Sequence, residues 1–297
     1  MPRKIEFVEV GTRDGFQNVT DFIPTEIKIE TLERLIDSGV KTIQFSSFVS
    51  PKAIPQLRDA EIIAKETLSR HPEVSFMALV PNLKGAQNAN ASGVKKVNYV
   101  ISVSESHNKA NVNRTVDESF AELKKIIDEF GKDFVTLDAA TAFGCPFEGY
   151  TTYKSLKEFI LRGVALGINE FCIADTIGVA TPNQVREYMS NLLKDFPDKK
   201  FGVHIHDTRN MGMVNNLVAI EAGVYMIQAS IGGLGGCPFA PGATGNTSSE
   251  DLIYMLNKMG YDTGIDSDKI IETAKFVKDN VNGNFSGHHI NITRKYN

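Results

Sequence analysis

Phe201-Gly-Val-His-Ile-His-Asp-Thr208 alternates the apolar Phe201, Val203 and Ile205 with Gly202, His204 and His206, then enters the turn-prone Asp-Thr-Arg-Asn of 207–210. Period-two alternation marks a strand, because successive strand side chains point to opposite faces. His204 and His206 therefore share a face, with Cα atoms about 7 Å apart. At that spacing both imidazoles can converge on one ion. The plainer reading is a structural pair hydrogen-bonded to backbone or carboxylates.

Outward from this strand, similar short apolar runs recur at 5–10, 42–48, 75–80, 96–102, 134–139, 170–174 and 225–230. Amphipathic stretches separate them. In 25–37, Ile27, Leu32, Leu35 and Ile36 form one stripe, and in 115–130 Phe120, Leu123, Ile127 and Phe130 recur at helical spacing. Gly39-Val40, Gly93-Val94, Gly167-Ile168 and Gly223-Val224 each follow a helical pattern and precede a strand, as glycine at a left-handed helix end requires. Eight strand-then-helix units without a long linker predict an α/β fold, a (β/α)₈ TIM barrel. An open doubly wound sheet is the alternative, but no Gly-x-Gly-x-x-Gly turn follows the first strand. The expected organisation is one catalytic domain over 1–297, with the barrel at about 4–262, a further helix over 266–281 and a polar, partly mobile tail from 282.

Composition narrows the function. The formal net charge is −4 and no basic run is interleaved with aromatics, which argues against nucleic acid as a partner. No apolar run reaches spanning length, and the first strand-like run begins by Ile5, so neither a membrane nor a targeting segment is expected. Three unevenly placed cysteines, Cys145, Cys172 and Cys237, suit a reducing cytoplasm better than a disulfide framework.

In a barrel, C-terminal strand ends gather at one mouth, where active sites sit. Every expected strand end except the third is polar there, including Gly11-Thr-Arg-Asp-Gly15, Gln44-Phe-Ser-Ser47, Asp138-Ala-Ala-Thr141 and Asp175-Thr176. Asp14 is the carboxylate best placed to join the histidines. Such a set suits octahedral Mg²⁺ or Mn²⁺ and could also hold Zn²⁺, Co²⁺ or Fe²⁺. Arg13 beside it would clamp an anion. The glycine-rich stretch 232–246 lacks the Gly-Lys-Ser/Thr ending of a phosphate loop. It places Cys237 where a thiol could serve as acid, base or nucleophile.

These residues carry a resemblance. Val10-Gly-Thr-Arg-Asp-Gly-Phe-Gln-Asn18, Ser47-Phe-Val-Ser-Pro-Lys52, Phe143-Gly-Cys-Pro-Phe-Glu-Gly149, Asp175-Thr-Ile-Gly-Val179, His204-Ile-His-Asp-Thr208 and Gly233-Leu-Gly-Gly-Cys-Pro-Phe-Ala-Pro-Gly-Ala-Thr-Gly-Asn246 resemble the 3-hydroxy-3-methylglutaryl-CoA (HMG-CoA) lyases, within the wider pyruvate-carboxyltransferase-like group. The likeness runs over about 5–262. It implies a metal-dependent retro-Claisen cleavage of an acyl-CoA thioester into acetyl-CoA and a keto acid, in a protein expected to be a homodimer. It implies metal ligands at Asp14, His204, His206 and Asn246, an oxyanion role for Arg13, an acid/base role for Asp175, and Cys237 helping to protonate the enolate or close the site. Ser47, Asn108 and Arg209 are the expected substrate contacts. The family's glutamate at the end of strand two is here Gln44, which keeps hydrogen bonding but offers no negative charge. Arg209 stands where the best-known lyases have tyrosine, and could favour a differently placed carboxylate such as that of citramalyl-CoA. A condensing acyltransferase or a non-catalytic acyl-CoA-binding barrel are the competing readings.

Overall fold

The computed structural model describes residues 4–236 and 245–292. Eight parallel strands close on themselves: β1 (Glu6–Glu9), β2 (Thr42–Ser47), β3 (Ser75–Leu79), β4 (Lys96–Ser102), β5 (Val135–Ala140), β6 (Glu170–Asp175), β7 (Lys200–Ile205) and β8 (Met226–Ala229). Each strand pairs with its neighbours in chain order, and β8 returns to β1 through Glu6↔Met226 and Glu9↔Ala229. The expected (β/α)₈ barrel is the observed fold.

Among the described residues ten α-helices accompany the strands: α1 (Thr25–Asp37), α2 (Ala60–Thr67), α3 (Leu83–Ala91), α4 (Glu105–Val112), α5 (Val116–Phe130), α6 (Tyr153–Ala165), α7 (Pro182–Asp195), α8 (Gly212–Ala222), α9 (Ser249–Lys258) and α10 (Ser267–Asn280). The apolar stripe of α1 buries Leu32 and Leu35. Helix α5 starts at a capping box, Thr115 accepting from Glu118 N–H while the Glu118 carboxylate accepts from Thr115 N–H. Gly39, after α1, has φ 102°, and a Cβ there would lie 2.4 Å from Gly264 O, so only glycine makes this turn without strain. Among the described residues no helix is long and apolar enough to cross a membrane.

Strand alternation sorts side chains into two sets. Leu137, Ala139, Phe171, Ile173, Phe201, Val203 and Ile205 belong to the large apolar cluster shared with the helices. Val8, Val10, Cys172 and Met226 form a separate small cluster, which fills the barrel interior. Residues of this second parity nearer the C-terminal ends reach the mouth.

Two features differ from the sequence expectation. A two-stranded hairpin, Gly144–Cys145 with Gly149–Tyr150, follows β5; each arm is two residues long, too short for a periodic signal. The tail over 282–292 also folds back onto the barrel. Ser286 and Gly287 N–H donate to Gly232 O, and His288 and His289 N–H donate to Asp251. A polar sequence predicts solvent, but these backbone groups find partners at Gly232, after β8, and at Asp251 in the first turn of α9.

Candidate active site

After β1 the chain makes a π-helical turn, Gly11–Gly15, in which Arg13 and Asp14 N–H both donate to Val10 O. All five residues are buried, so the turn presents two charged side chains inside the mouth. Asp14 Oδ1 accepts from Arg13 Nη1 at 2.5 Å and from Gln17 Nε2 at 2.9 Å. Its Oδ2 accepts from Asn246 Nδ2 at 2.6 Å and lies 3.8 Å from His204 Nε2. Burial alone would raise the Asp14 carboxyl, but the positive charge of Arg13, then the two histidines and Asn246, hold it down at about 2.

Across the mouth, His204 and His206 come from β7 and its end, and their Nε2 atoms are 3.1 Å apart. Burial holds His204 down at about 3, helped by His206, and lowers His206 as well. Both rings are therefore neutral at neutral pH, the form that binds metal. Ligand atoms of Asp14, His204 and His206 all lie within 4.8 Å of one another. Two ligands at right angles about an ion, each about 2.1 Å from it, stand about 3.0 Å apart, which matches the imidazole pair. Asn246 Oδ1 is buried without a partner among the described residues, so an oxygen donor is available beside the cluster. Gly235 closes over it with φ +127°, and a Cβ there would lie 2.4 Å from Asn246 Nδ2. The donor set fits a divalent cation.

A cavity of about 630 Å³ opens from this cluster. Its deep wall carries Arg13, Asp138, Cys172 and Gln228, and its outer wall carries Ser50, Ile54, Pro81, Asn82, Val112 and Arg114. Inward strand parity explains the deep set: Asp138 lies opposite in parity to Leu137 and Ala139, and Cys172 to Phe171 and Ile173.

The other expected site residues fare differently. Gln44 is fully buried and not on the cavity wall; its Oε1 accepts from Arg13 Nε, while its Nε2 has no partner among the described residues. It thus orients Arg13 from behind. Asp175 is also off the wall, having the outward parity of Phe171 and Ile173. Its Oδ1 accepts from Val179 N–H at 2.9 Å and its Oδ2 from Ala180 N–H at 3.0 Å, so it braces the loop after β6. Asn108 does not reach the cavity either. Its amide nitrogen donates to Arg114 O, Thr115 O and Ser119 Oγ while its oxygen accepts from Ser102 N–H, locking α4 to β4 and α5. Ser47 is buried outside the wall, where Val49 and Ser50 stand instead. Arg209 Nη1 donates to Ile177 O and Gly178 O, tying two rim loops together. Cys237 lies outside the described residues.

Asp138 is a buried carboxylate on the cavity wall that the sequence reading did not single out. Its position in the polar end of β5 is visible, and alternation against Leu137 would have turned it inward. Burial raises its carboxyl to about 7, against the bonds from Asn98 and the charge of Arg13, which pull it down.

The profile of the family described as HMGL-like matches residues 4–277. The hydroxymethylglutaryl-CoA lyase YngG of Bacillus subtilis is 39% identical over 280 residues, 94% of this chain and 93% of that one. The mitochondrial hydroxymethylglutaryl-CoA lyase of Gallus gallus is 37% identical over 279 residues, 93% of both chains. A solved HMG-CoA lyase from Bacillus subtilis superposes with a TM-score of 0.92 at 36% identity, covering 97% of both chains. One from Acinetobacter baumannii, in complex with coenzyme A and 3-methylmalate, gives 0.88 at 39% identity, covering 93% of this chain and 90% of that one.

Proposed function

The chain belongs to the HMGL-like family, and from that membership we propose that it is an HMG-CoA lyase, cleaving the thioester to acetyl-CoA and acetoacetate. The observation that carries the reading is the convergence of Asp14, His204 and His206 in one cavity with Arg13. A divalent cation would be held by these three side chains and Asn246; the two oxygen donors with water suit Mg²⁺ or Mn²⁺, and the two imidazoles also admit Zn²⁺ or Co²⁺. When bound, it supplies the positive charge that acidifies a hydroxyl brought against it.

The chain's own residues supply the rest. Cleavage leaves negative charge on the thioester oxygen as the acetyl-CoA enolate forms, and Arg13 is the cation that can meet it. Its orientation is set on two sides, by Asp14 and by Gln44, so little reorganisation is needed as charge develops. Ile54, Pro81 and Val112 on the outer wall give a bound thioester apolar surface, which limits water around an enolate that stray protonation would consume. The buried free thiols of Cys145 and Cys172 suit a reducing cytoplasm.

The test is acetyl-CoA release from HMG-CoA, citramalyl-CoA and a panel of other 3-hydroxyacyl-CoA thioesters, before and after chelation. Release from HMG-CoA that stops on chelation and returns with Mg²⁺ or Mn²⁺ is expected. Release from none of the thioesters by the metal-loaded protein would refute the reading.

A further inference from the structure

The cleavage needs a group that takes a proton from the 3-hydroxyl and a group that gives one to C2. We propose that Asp138, on β5, is the catalytic residue that does both, and that Asp175 has no part in the proton transfer. The inference rests on the lyase reading above.

Three observations carry it. Asp138 stands on the wall of the cavity that also holds Arg13, Asp14, His204 and His206, so a substrate seated against the cluster meets its carboxylate. Asn98 Nδ2 donates to both its oxygens, at 2.9 and 3.1 Å. One nitrogen shared between two oxygens leaves each with acceptor capacity toward the cavity. The other acids are engaged elsewhere: Asp14 with Arg13 and Asn246, Asp175 with two backbone amides outside the wall. Position 44 is an amide.

The remaining titratable groups on the wall are less suited. Burial raises the Cys172 thiol well above its ordinary range, and the charge of Asp138 raises it further, so it stays protonated. Burial lowers His107 to about 4, against the charge of Glu148, and its Nδ1 is engaged with Ser102 Oγ at 2.7 Å, so it is a weak base. The group whose charge bears on Asp138 is Arg13, from the turn after β1; the Cys172 thiol on β6 is protonated and Asn98 on β4 is neutral. Burial leaves the Asp138 carboxyl near 7, close to the optimum for a group that both takes and gives a proton.

The step balances without a further reactant. The Asp138 carboxylate accepts the hydroxyl proton, the C3–O pair becomes the acetoacetate carbonyl, and the C2–C3 bond breaks. Its electron pair enters the thioester enolate. Asp138 then returns the proton to C2, yielding acetyl-CoA and the starting carboxylate.

The test uses the metal-loaded protein and HMG-CoA. Asp138→Asn should lower kcat on the order of 10²–10⁴-fold, with KM and metal affinity by calorimetry nearly unchanged. Asp138→Ala should be partly restored by added formate, which a purely structural role would not allow. Wild-type kcat/KM, which reports the free enzyme, should rise with pH across the neutral range as Asp138 ionises, a reading that holds even if both variants fail to fold. Asp138→Asn with kcat within about threefold of wild type, or a wild-type profile flat from about pH 5.5 to 8, overturns the proposal. In either case an active wild type leaves the lyase reading standing. A wild type that cleaves no thioester removes both.

Discussion

Glu250 offers a quantitative check on how the root of the loop after β8 is held. It lies in the first turn of α9, fully buried, with Oε2 accepting from Gly232 N–H at 2.9 Å. Burial, reinforced by the neighbouring Asp251, raises its carboxyl from 4.5 to about 8. A carboxyl raised on folding takes up a proton as the chain folds, so stability falls as pH climbs from the unfolded to the folded value. Each pKa unit is worth about 1.4 kcal/mol, so between pH 5 and pH 8 this one group should remove about 3 kcal/mol. Glu250→Gln keeps an oxygen for Gly232 and cannot ionise. Any pH-independent cost of the amide cancels when slopes are compared. Other raised acids, including Glu9 at about 7, act equally in both proteins. Urea unfolding of wild type and variant at several pH values should show the variant gaining about 3 kcal/mol on wild type from pH 5 to pH 8. A difference constant within about 1 kcal/mol across that range would mean that Glu250 is hydrated or charged in the fold, and would refute the reasoning.

Gln44→Glu keeps the oxygen that accepts from Arg13 and adds a charge off the cavity wall. It should therefore change kcat for HMG-CoA and citramalyl-CoA by less than about tenfold, not the 10²–10⁴-fold of a proton-transfer group. A gain beyond about 100-fold on either thioester would show that position 44 reaches the chemistry. Cys237→Ser should lower kcat strongly while calorimetric metal affinity stays at the wild-type value, because the donors proposed for the metal are Asp14, His204, His206 and Asn246. Unchanged kcat would leave that cysteine a packing role.

The sequence by itself determined the barrel and half of its site. Strand and helix periods are written in neighbouring residues, so β7 and α1 are legible from Phe201 to Ile205 and from Thr25 to Asp37, and the glycines after the helices punctuate them. The common face of His204 and His206 follows from the same period. Inward parity was available for Asp138 too, in the apolar residues on either side, and outward parity for Asp175 in Phe171 and Ile173. Position at a strand end does not separate the two, and parity does: Asp138 lines the cavity, while the Asp175 carboxylate turns to the amides of its own loop. Only the closed fold decided which groups meet. Asn246 reaches Asp14 across 232 residues of chain, and Gln44 sits behind Arg13 because β2 lies beside β1. Asn108 has its hydrogen bonds consumed by α4 and α5, and 285–289 turn back to Gly232 and Asp251. Periodicity tells which way a side chain points along its own strand. What it points at, and how dry that place is, depends on the other seven strands, and so the charge state of Asp14, Asp138 and the two histidines belongs to the tertiary structure alone.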